Sequence, residues 1–355
     1  MLRRMVVYRI LSHYGIPATA DVLPLTSGLI NTTWKVTHQK AEYILQRVNE
    51  KVFKNPPLIA TNTQLLKKHL QAIRSDYFLA TEIPSLDGRL VVEEKAAYYR
   101  LLPFVKNSHT VSVAQTPQQA YEAAYQFGLF TKTFERLDTS WLHTTIPHFH
   151  DLLLRYHQFL QAIENGNGKR VTVCATEIAE LKSYSFLVGE WQLLLQLSDV
   201  KTRVTHHDTK ISNVLFNAEG NGICVIDLDT VMPGYFFSDV GDMMRTYLSP
   251  VNEDATDFSK VYARPEYFQA IAKGYLSNMA PALSSTELKV FPKSGMWLTY
   301  MQALRFLTDY FNNDQYYGSS YEGQNLLRAR NQVVLLRSLS DNYITFQSFV
   351  NQFFG

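Results

Sequence analysis

Several absences narrow the class of this chain. No run of about 18 apolar residues occurs, the length a helix needs to cross a bilayer, so no membrane-spanning helix is expected. Cysteine is scarce: Cys174 and Cys224 are 2 thiols in 355 residues and form no CxxC pair. They suggest neither a disulfide framework nor a cysteine-rich metal site, and a reduced, cytoplasmic chain with two core thiols is the expectation. Charge of one sign is not in excess either. Lys and Arg number 34 against 32 Asp and Glu, a formal net charge of +2, which argues against nucleic acid as the main partner. The first apolar stretch is too short for a secretory signal and no small-residue cleavage site follows. Residues 1–10 read instead as an amphipathic helix ending near Gly15.

What is present suffices for a large core. The chain is 46% hydrophobic and 19% charged, with length for about two domains or one large two-lobed unit. Aromatic residues make up 13%: 21 Tyr, 21 Phe and 4 Trp. Such rings fill cores, and they also wall sites for flat ligands and sugars. Composition does not decide between these uses.

The apolar pattern predicts strands over 21–25, 30–36, 43–48, 90–92 and 97–102, with a helix over 58–73 opened by Asn55-Pro56-Pro57. Pro103-Phe104-Val105 forms a connector. Beyond it the spacing becomes helical, over 117–137, 150–164, 176–196, 265–276, 295–311 and 325–349. A compact strand-loop-strand unit at 203–230 interrupts these helices. The pattern therefore predicts a small β-rich part over residues 1–105 and a larger, mainly helical part over 106–355.

The most informative stretch runs from Thr205 to Phe216, THHDTKISNVLF, followed by Ile223 to Asp229, ICVIDLD. Asp208 and Asn213 are five apart in a polar turn that enters an apolar strand. A second apolar strand ends in Asp227. One carboxylate can serve as base for a hydroxyl. An amide carbonyl and a further carboxylate are hard oxygen donors suited to Mg²⁺. This is equipment for phosphoryl transfer, where a protein mainly positions groups and neutralises charge. His206-x-Asp208-x4-Asn213 parallels the kinase catalytic loop and Asp227 its metal aspartate. Lys210 stands two residues after Asp208, within range of a transferred phosphate. His206 is expected to orient the loop, since Asp208 already fills the role of base. The plain alternative is a polar turn between two core strands, but a lone HxD lacks the rest of this spacing.

With these residues the chain resembles the phosphotransferase enzyme family of kinase-like folds, which includes aminoglycoside, choline and homoserine kinases. More narrowly it resembles the N-acetylhexosamine 1-kinases. The resemblance is carried by Ser27-Gly28-Leu29-Ile30-Asn31, YILQRVN at 43–49 with VFKNP at 52–56, and His207-Asp208-Thr209-Lys210. Further stretches are VIDLDTVMPG at 225–234, Asp239-Val240-Gly241-Asp242 and RFLTDY at 305–310. It implies an α+β, bilobal protein-kinase-like fold. The small lobe would grip ATP near the connector around Phe104, and the large lobe would hold the catalytic loop and acceptor pocket. It also implies ATP-dependent phosphorylation of the anomeric hydroxyl of a small-molecule sugar acceptor, N-acetylglucosamine or N-acetylgalactosamine. Asp208 would be the base, Asn213 and Asp227 would hold Mg²⁺, and Asp229 and Arg305 would contact the sugar. A kinase of the same fold for another small hydroxyl, such as choline, homoserine, an aminoglycoside or another sugar, stays open. So does a catalytically silent nucleotide-binding scaffold.

The sequence departs from the kinase pattern in two places. The loop expected over the phosphates, 25–32, contains a single glycine, Gly28. Its backbone N–H groups and the hydroxyls of Ser27 and Thr32 remain as donors. The strand that carries a lysine in kinases ends here in Gln46-Arg47, and Arg47 is a forked, always charged phosphate partner. Alternation sets Leu45 and Arg47 on one face and Ile44 and Gln46 on the other, without saying which faces inward. No Asp or Glu occurs from Lys51 to Arg74, so the following helix cannot supply the usual glutamate. A protein kinase switched by that pair is not expected.

Three further groups stand out. His143, His148 and His150 read as loop histidines rather than a metal cluster. Asp239 and Asp242 are read in a turn after Gly234, the first bracing the catalytic loop, as it does in similar sequences. Arg305 and Asp309 are four apart on a helix. They suit a surface ion pair, or else an acceptor-lining face with Tyr310, Tyr316 and Tyr317 nearby. The oligomeric state is left open.

Overall fold

The computed structural model describes residues 2–25 and 30–354, without the side chains of Leu2, Arg3, Arg4 and Phe354. The chain forms two compact units. The first comprises residues 1–109 together with 136–147 and 224–233; the second comprises 110–135, 148–223 and 234–355. The division is therefore not collinear with the sequence.

The first unit opens with α1 (Leu2–Ser12), which gives way to a turn at Gly15, where φ is +70°. Strands β1 (Asp21–Leu25), β2 (Thr32–His38) and β3 (Ala41–Arg47) follow. After them come α2 (Pro56–Ala72), β4 (Val92–Glu94) and β5 (Ala97–Pro103). The strands make one antiparallel sheet in the order β1-β2-β3-β5-β4. Val7, Ile10 and Leu11 of α1 pack with Val36, Leu45, Tyr99 and Leu101 into a dry core. This settles the facing of β3. Leu45 enters that core, so Ile44 and Gln46 stand on the opposite face of the sheet.

Two prolines open α2, where a fixed φ and a missing N–H cost nothing. Nearly two turns in, the fully buried Asn62 donates to the carbonyls of His143 and Val231 at 2.8 and 2.9 Å and accepts from His143 N at 2.8 Å. One amide thus ties two later segments to α2, which explains why 136–147 and 224–233 belong to this unit.

The second unit begins with α3 (Pro117–Thr133), capped by the Thr116 side chain, and α4 (Leu152–Asn165), capped by Asp151. The apolar pattern over 176–196 predicts one helix. After a short α5 (Gly168–Thr172), the chain instead forms two helices there, α6 (Ala175–Ser183) and α7 (Phe186–Leu195). The break falls at Ser183-Tyr184-Ser185, where serines compete for backbone hydrogen bonds. Short strands β6 (Arg203–Thr205), β7 (Val214–Phe216), β8 (Gly222–Val225) and β9 (Met232–Gly234) come next along the chain, the last two falling mostly in the 224–233 segment of the first unit. Then follow α8 (Phe236–Tyr247), α9 (Pro265–Met279), α10 (Ser285–Val290), α11 (Lys293–Phe311) and α12 (Gln324–Phe354). The turn expected after Gly234 is in fact α8, a helix whose residues are nearly all buried, Asp239 and Asp242 included. No helix among the described residues is long and apolar enough to cross a membrane.

Helices α3 and α9 approach so closely that a Cβ at Gly274 would lie 2.3 Å from the Tyr121 carbonyl oxygen. Gly189 of α7, by contrast, faces open space. Gly274→Ala is expected to lower stability by about 1–3 kcal/mol through overpacking. Gly189→Ala should raise it by up to ~1 kcal/mol through helix propensity. Chemical denaturation of both variants checks the opposite signs.

Candidate active site

The expected catalytic loop leaves β6 at Thr205 and re-enters regular structure at β7, with a 3-10 turn over Ile211–Asn213. Its backbone is unusual at His207, where φ is +66°, a left-handed conformation costly for a residue with a Cβ. Buried hydrogen bonds hold it there. The Asp239 carboxylate of α8 accepts from His206 N at 2.9 Å and His207 N at 2.7 Å. One turn on, Asp242 accepts from Thr209 N at 2.8 Å. The Thr209 hydroxyl donates to the Asp239 carbonyl at 2.7 Å, and the Tyr247 hydroxyl donates to the Thr209 carbonyl. The His206 ring is fully buried edge-on against Phe127 and Phe130 of α3 and accepts from Asp208 N through Nδ1. It orients the loop, as its place in the sequence suggests.

Asp208 stands at the open side of this scaffold. Its Oδ2 lies 3.0 Å from Lys210 Nζ and accepts from Asn213 Nδ2 at 3.0 Å. Burial works to raise the Asp208 carboxyl, but Lys210 and His206 beside it outweigh burial and hold it below the ordinary carboxylate range. It is therefore ionised and able to accept a proton. The Asn213 amide also donates to the Asp208 carbonyl at 2.8 Å, which fixes the amide plane and leaves its oxygen as a hard donor. The neighbouring carboxyls are shifted the other way. Burial, with Asp242 and Asp208 close by, pushes Asp239 up to about 7 against its two N–H donors. Burial also raises Asp242, against the pull of Arg245, whose Nη2 lies 2.9 Å from Asp242.

A second cluster in the same unit surrounds Arg305 on α11. Its guanidinium carbon lies 5.5, 5.6 and 5.4 Å from the ring centroids of Phe149, Tyr316 and Tyr317. Nη1 donates to Gln302 Oε1 at 3.2 Å and Nη2 to the Tyr316 hydroxyl at 3.3 Å. Gln302 in turn donates to the Tyr317 hydroxyl at 3.1 Å. Among the described residues no carboxylate pairs with Arg305. Asp309 does not, despite its helical spacing. It is buried and accepts from the backbone N–H of Tyr316 at 2.7 Å and Tyr317 at 2.9 Å, and from Asn325 Nδ2 at 3.1 Å. Asp309 thus shapes the loop that carries two of the three rings. Tyr310 is apart from them, buried under Arg170.

The two clusters are joined by aromatic contact. His150 stacks on Phe149 at 4.6 Å and tilts against His207 at 5.4 Å. Burial, then the charges of His207, Arg305, Arg245 and Arg155, drive the His150 pKa well below its usual value, so the ring is neutral. His148 pairs with Asp151 at 3.0 Å. No group of His, Cys, Asp or Glu suited to hold a metal by itself occurs among the described residues.

In the first unit, Ser27 and Gly28 lie outside the described residues. Thr32 and Arg47 are register partners at one end of β2 and β3. The Arg47 side chain is half exposed, on the Leu45 side of the sheet, 4.0 Å from Glu50. Phe104 carries Lys35 Nζ over its ring at 4.0 Å, and Lys35 pairs with Glu42 at 2.6 Å. Asp227 is left-handed, φ +61°, ahead of a 3-10 turn over Leu228–Thr230. Asp229 is buried, with one carboxylate oxygen on Asn31 Nδ2 at 2.8 Å and the other paired with Arg100. Sequence reading missed Arg100, as well as Gln302, Asn325 and Phe149. The one available signal was a charge in the middle of an otherwise apolar strand.

The five-stranded antiparallel sheet, the mainly helical second unit and the loop that carries Asp208 together define a protein-kinase-like phosphotransferase fold. The match to the phosphotransferase enzyme family spans residues 21–282, and the chain belongs to that family. Solved structures share the fold at low identity. A microcompartment-associated aminopropanol kinase is 17% identical, with TM-score 0.64 over 97% of this chain and 98% of that one. An aminoglycoside phosphotransferase from Alicyclobacillus acidocaldarius is 14% identical, with TM-score 0.65 over 96% and 95%. A spectinomycin phosphotransferase, solved with ADP and spectinomycin, is 14% identical, with TM-score 0.62 over 98% of both chains.

The raised Asp239 carboxyl makes a signed prediction. Its folded value of about 7 exceeds the ordinary 3.8, so the folded state favours the protonated form. That contribution is complete below the unfolded value and is lost as pH rises through about 7. The Tm of the wild type minus that of Asp239→Asn should therefore fall between pH 4 and pH 8. A flat difference in a pH series of thermal melts would remove Asp239 as the source.

Proposed function

We propose that this phosphotransferase uses ATP and Mg²⁺ to phosphorylate the anomeric hydroxyl of an N-acetylhexosamine, N-acetylglucosamine or N-acetylgalactosamine. The observation that carries the acceptor class is the Arg305 cluster. A guanidinium caged by three rings and neutral hydrogen-bond acceptors, with Arg155 and Arg245 close enough to depress His150, disfavours a cationic acceptor. It suits a neutral one that offers hydroxyl and carbonyl oxygens to Arg305 and an apolar ring face to Tyr317. A different neutral sugar is the second reading that this cluster favours.

In the proposed reaction the acceptor hydroxyl oxygen bonds to the γ-phosphorus as the bond to the β-phosphate bridging oxygen breaks. The hydroxyl proton passes to Asp208 Oδ1 or Oδ2, and ADP leaves. Asp208 is a weak base, which suffices because an anomeric hydroxyl is more acidic than an ordinary alcohol. The loose transition state of phosphoryl transfer also places most of the demand on positioning. Lys210 shares Asp208 and offers its ammonium to the moving phosphoryl group. Asn213 and Asp227 would hold Mg²⁺, which supplies charge neutralisation on the phosphates. Thr32, with Ser27 and Gly28, would meet phosphate oxygens, and Phe104 would lie toward the nucleotide base; Arg47, on the face of β3 opposite Gln46, Arg100 and Asp229, is turned away from that role.

ADP release across N-acetylhexosamines, other sugars, choline, homoserine and an aminoglycoside tests the acceptor, with ³¹P NMR locating the phosphate. The expected result is turnover of an N-acetylhexosamine to its 1-phosphate. Preferred turnover of choline or the aminoglycoside would overturn the reading. Asp208→Asn should lower kcat by roughly 10²–10⁴-fold with nucleotide binding nearly intact. Arg305→Ala should raise KM for the sugar more than KM for ATP, and equal effects would remove Arg305 from the acceptor site.

A further inference from the structure

The lysine–glutamate pair of kinases has no counterpart on β3 and α2, yet the first unit buries a different ion pair beside the Asp227 turn. Arg100, in the middle of β5, is 3% exposed. Its Nε and Nη2 both donate to Gln46 Oε1 on β3, at 3.0 and 2.7 Å. Nη2 also pairs with Asp229, and Nη1 stands 3.5 Å from Glu82. Glu82 and Asp229 are each 2% exposed. Glu82 is held in turn by the Thr63 hydroxyl of α2, at 2.5 Å. The remaining Asp229 oxygen accepts from Asn31, whose own oxygen accepts from Asn49 N at 3.0 Å.

All three nitrogens of this buried guanidinium thus face groups within the first unit, and Arg100 is turned to this network rather than to solvent. What it holds is the 3-10 turn that begins at Asp227. Asp227 is itself left-handed, a conformation that persists only where its surroundings over-determine it. The charges also point one way. Burial opposes the Arg100 cation, and Asp229, then Glu82, then Asp227 more than restore it. Three carboxylates thus share one guanidinium, which leaves a local excess of negative charge where a divalent cation is expected.

We propose that Arg100 is the positioning residue for the metal-binding aspartate, acting through Asp229 from β5 in place of a lysine–glutamate pair. This rests on the reading of Asp227 as a Mg²⁺ ligand. Arg100 is a support behind the ligand, and loss of such supports typically weakens metal affinity by about 10–100-fold. Glu82 delivers to the network the carboxylate that α2 lacks, and Gln46 keeps the guanidinium in the plane of the sheet.

The test is ADP binding by calorimetry across a Mg²⁺ titration, together with steady-state kinetics. For Arg100→Met the Mg²⁺ midpoint should rise by about tenfold or more, while ADP affinity in EDTA and KM for the acceptor stay near wild type. The double variant Arg100→Met/Asp229→Asn should be no worse than Arg100→Met alone, because the two residues act in series. If Arg100→Met does not fold, Arg100→Lys decides. A single ammonium cannot serve Gln46, Glu82 and Asp229 together, so its midpoint should rise by roughly 3–10-fold, short of the full loss. A wild-type midpoint in either variant overturns this proposal, as do additive losses in the double variant. Wild-type protein that binds ADP with no response to Mg²⁺ overturns the metal reading itself, and this proposal with it.

Discussion

The structure depends on carboxylates buried in a helix. Asp239 and Asp242 on α8 turn their oxygens to the backbone N–H groups of His206, His207 and Thr209. An isolated loop would present those donors to water and sample many conformations. Here they have carboxyl acceptors in a buried setting, where each such bond is stronger and an unpaired donor would be expensive. The left-handed His207 is held by these bonds. Its neighbour Asp208 is thereby aimed outward, with Lys210 and Asn213 on its oxygens. The crowding of Asp208, Asp239 and Asp242 has an electrical consequence. Charge from Lys210 keeps the outer carboxyl ionised, and the inner two are pushed toward protonation.

The same physics recurs in the first unit with other residues. A buried cation stands between the sheet and the turn that follows Asp227, and it is on β5. Arg100 is longer and forked, so it can meet Gln46, Asp229 and Glu82 together, which one ammonium could not. The Arg305 cluster inverts the arrangement. Arg305 has aromatic faces and neutral oxygens around it, and among the described residues no carboxylate pairs with it.

Much of this was legible along the chain. The HxDxxxxN spacing, the strand that ends in Asp227 and the acid-free helix at 56–72 are local facts, and the structure puts strands and helices where the apolar periods change. Two of the three failures share one cause, partners outside the element that no local pattern shows. The stretch at 236–247 carries glycine and aspartates and reads as a turn, but it is a helix, because tertiary N–H donors satisfy its carboxylates. The 176–196 stretch keeps an apolar period across Ser183-Tyr184-Ser185, yet its backbone breaks there. Arg305 and Asp309 have ion-pair spacing, but loop N–H groups at 316 and 317 claim the carboxylate.

The sequence by itself determined the fold class, the family and the loop that carries Asp208, because these rest on periodicity and on residues within a few positions of one another. Its shortage of cysteine, of single-sign charge and of long apolar runs also removed whole classes from consideration. Which face of β3 looks inward, which cation pairs with Asp229 and which ring set surrounds Arg305 were decided only by the tertiary structure. Each depends on partners tens to hundreds of residues apart, such as Gln46, Glu82, Arg100 and Asp229. Separation of that kind leaves no local period, and only burial makes those pairings strong enough to matter.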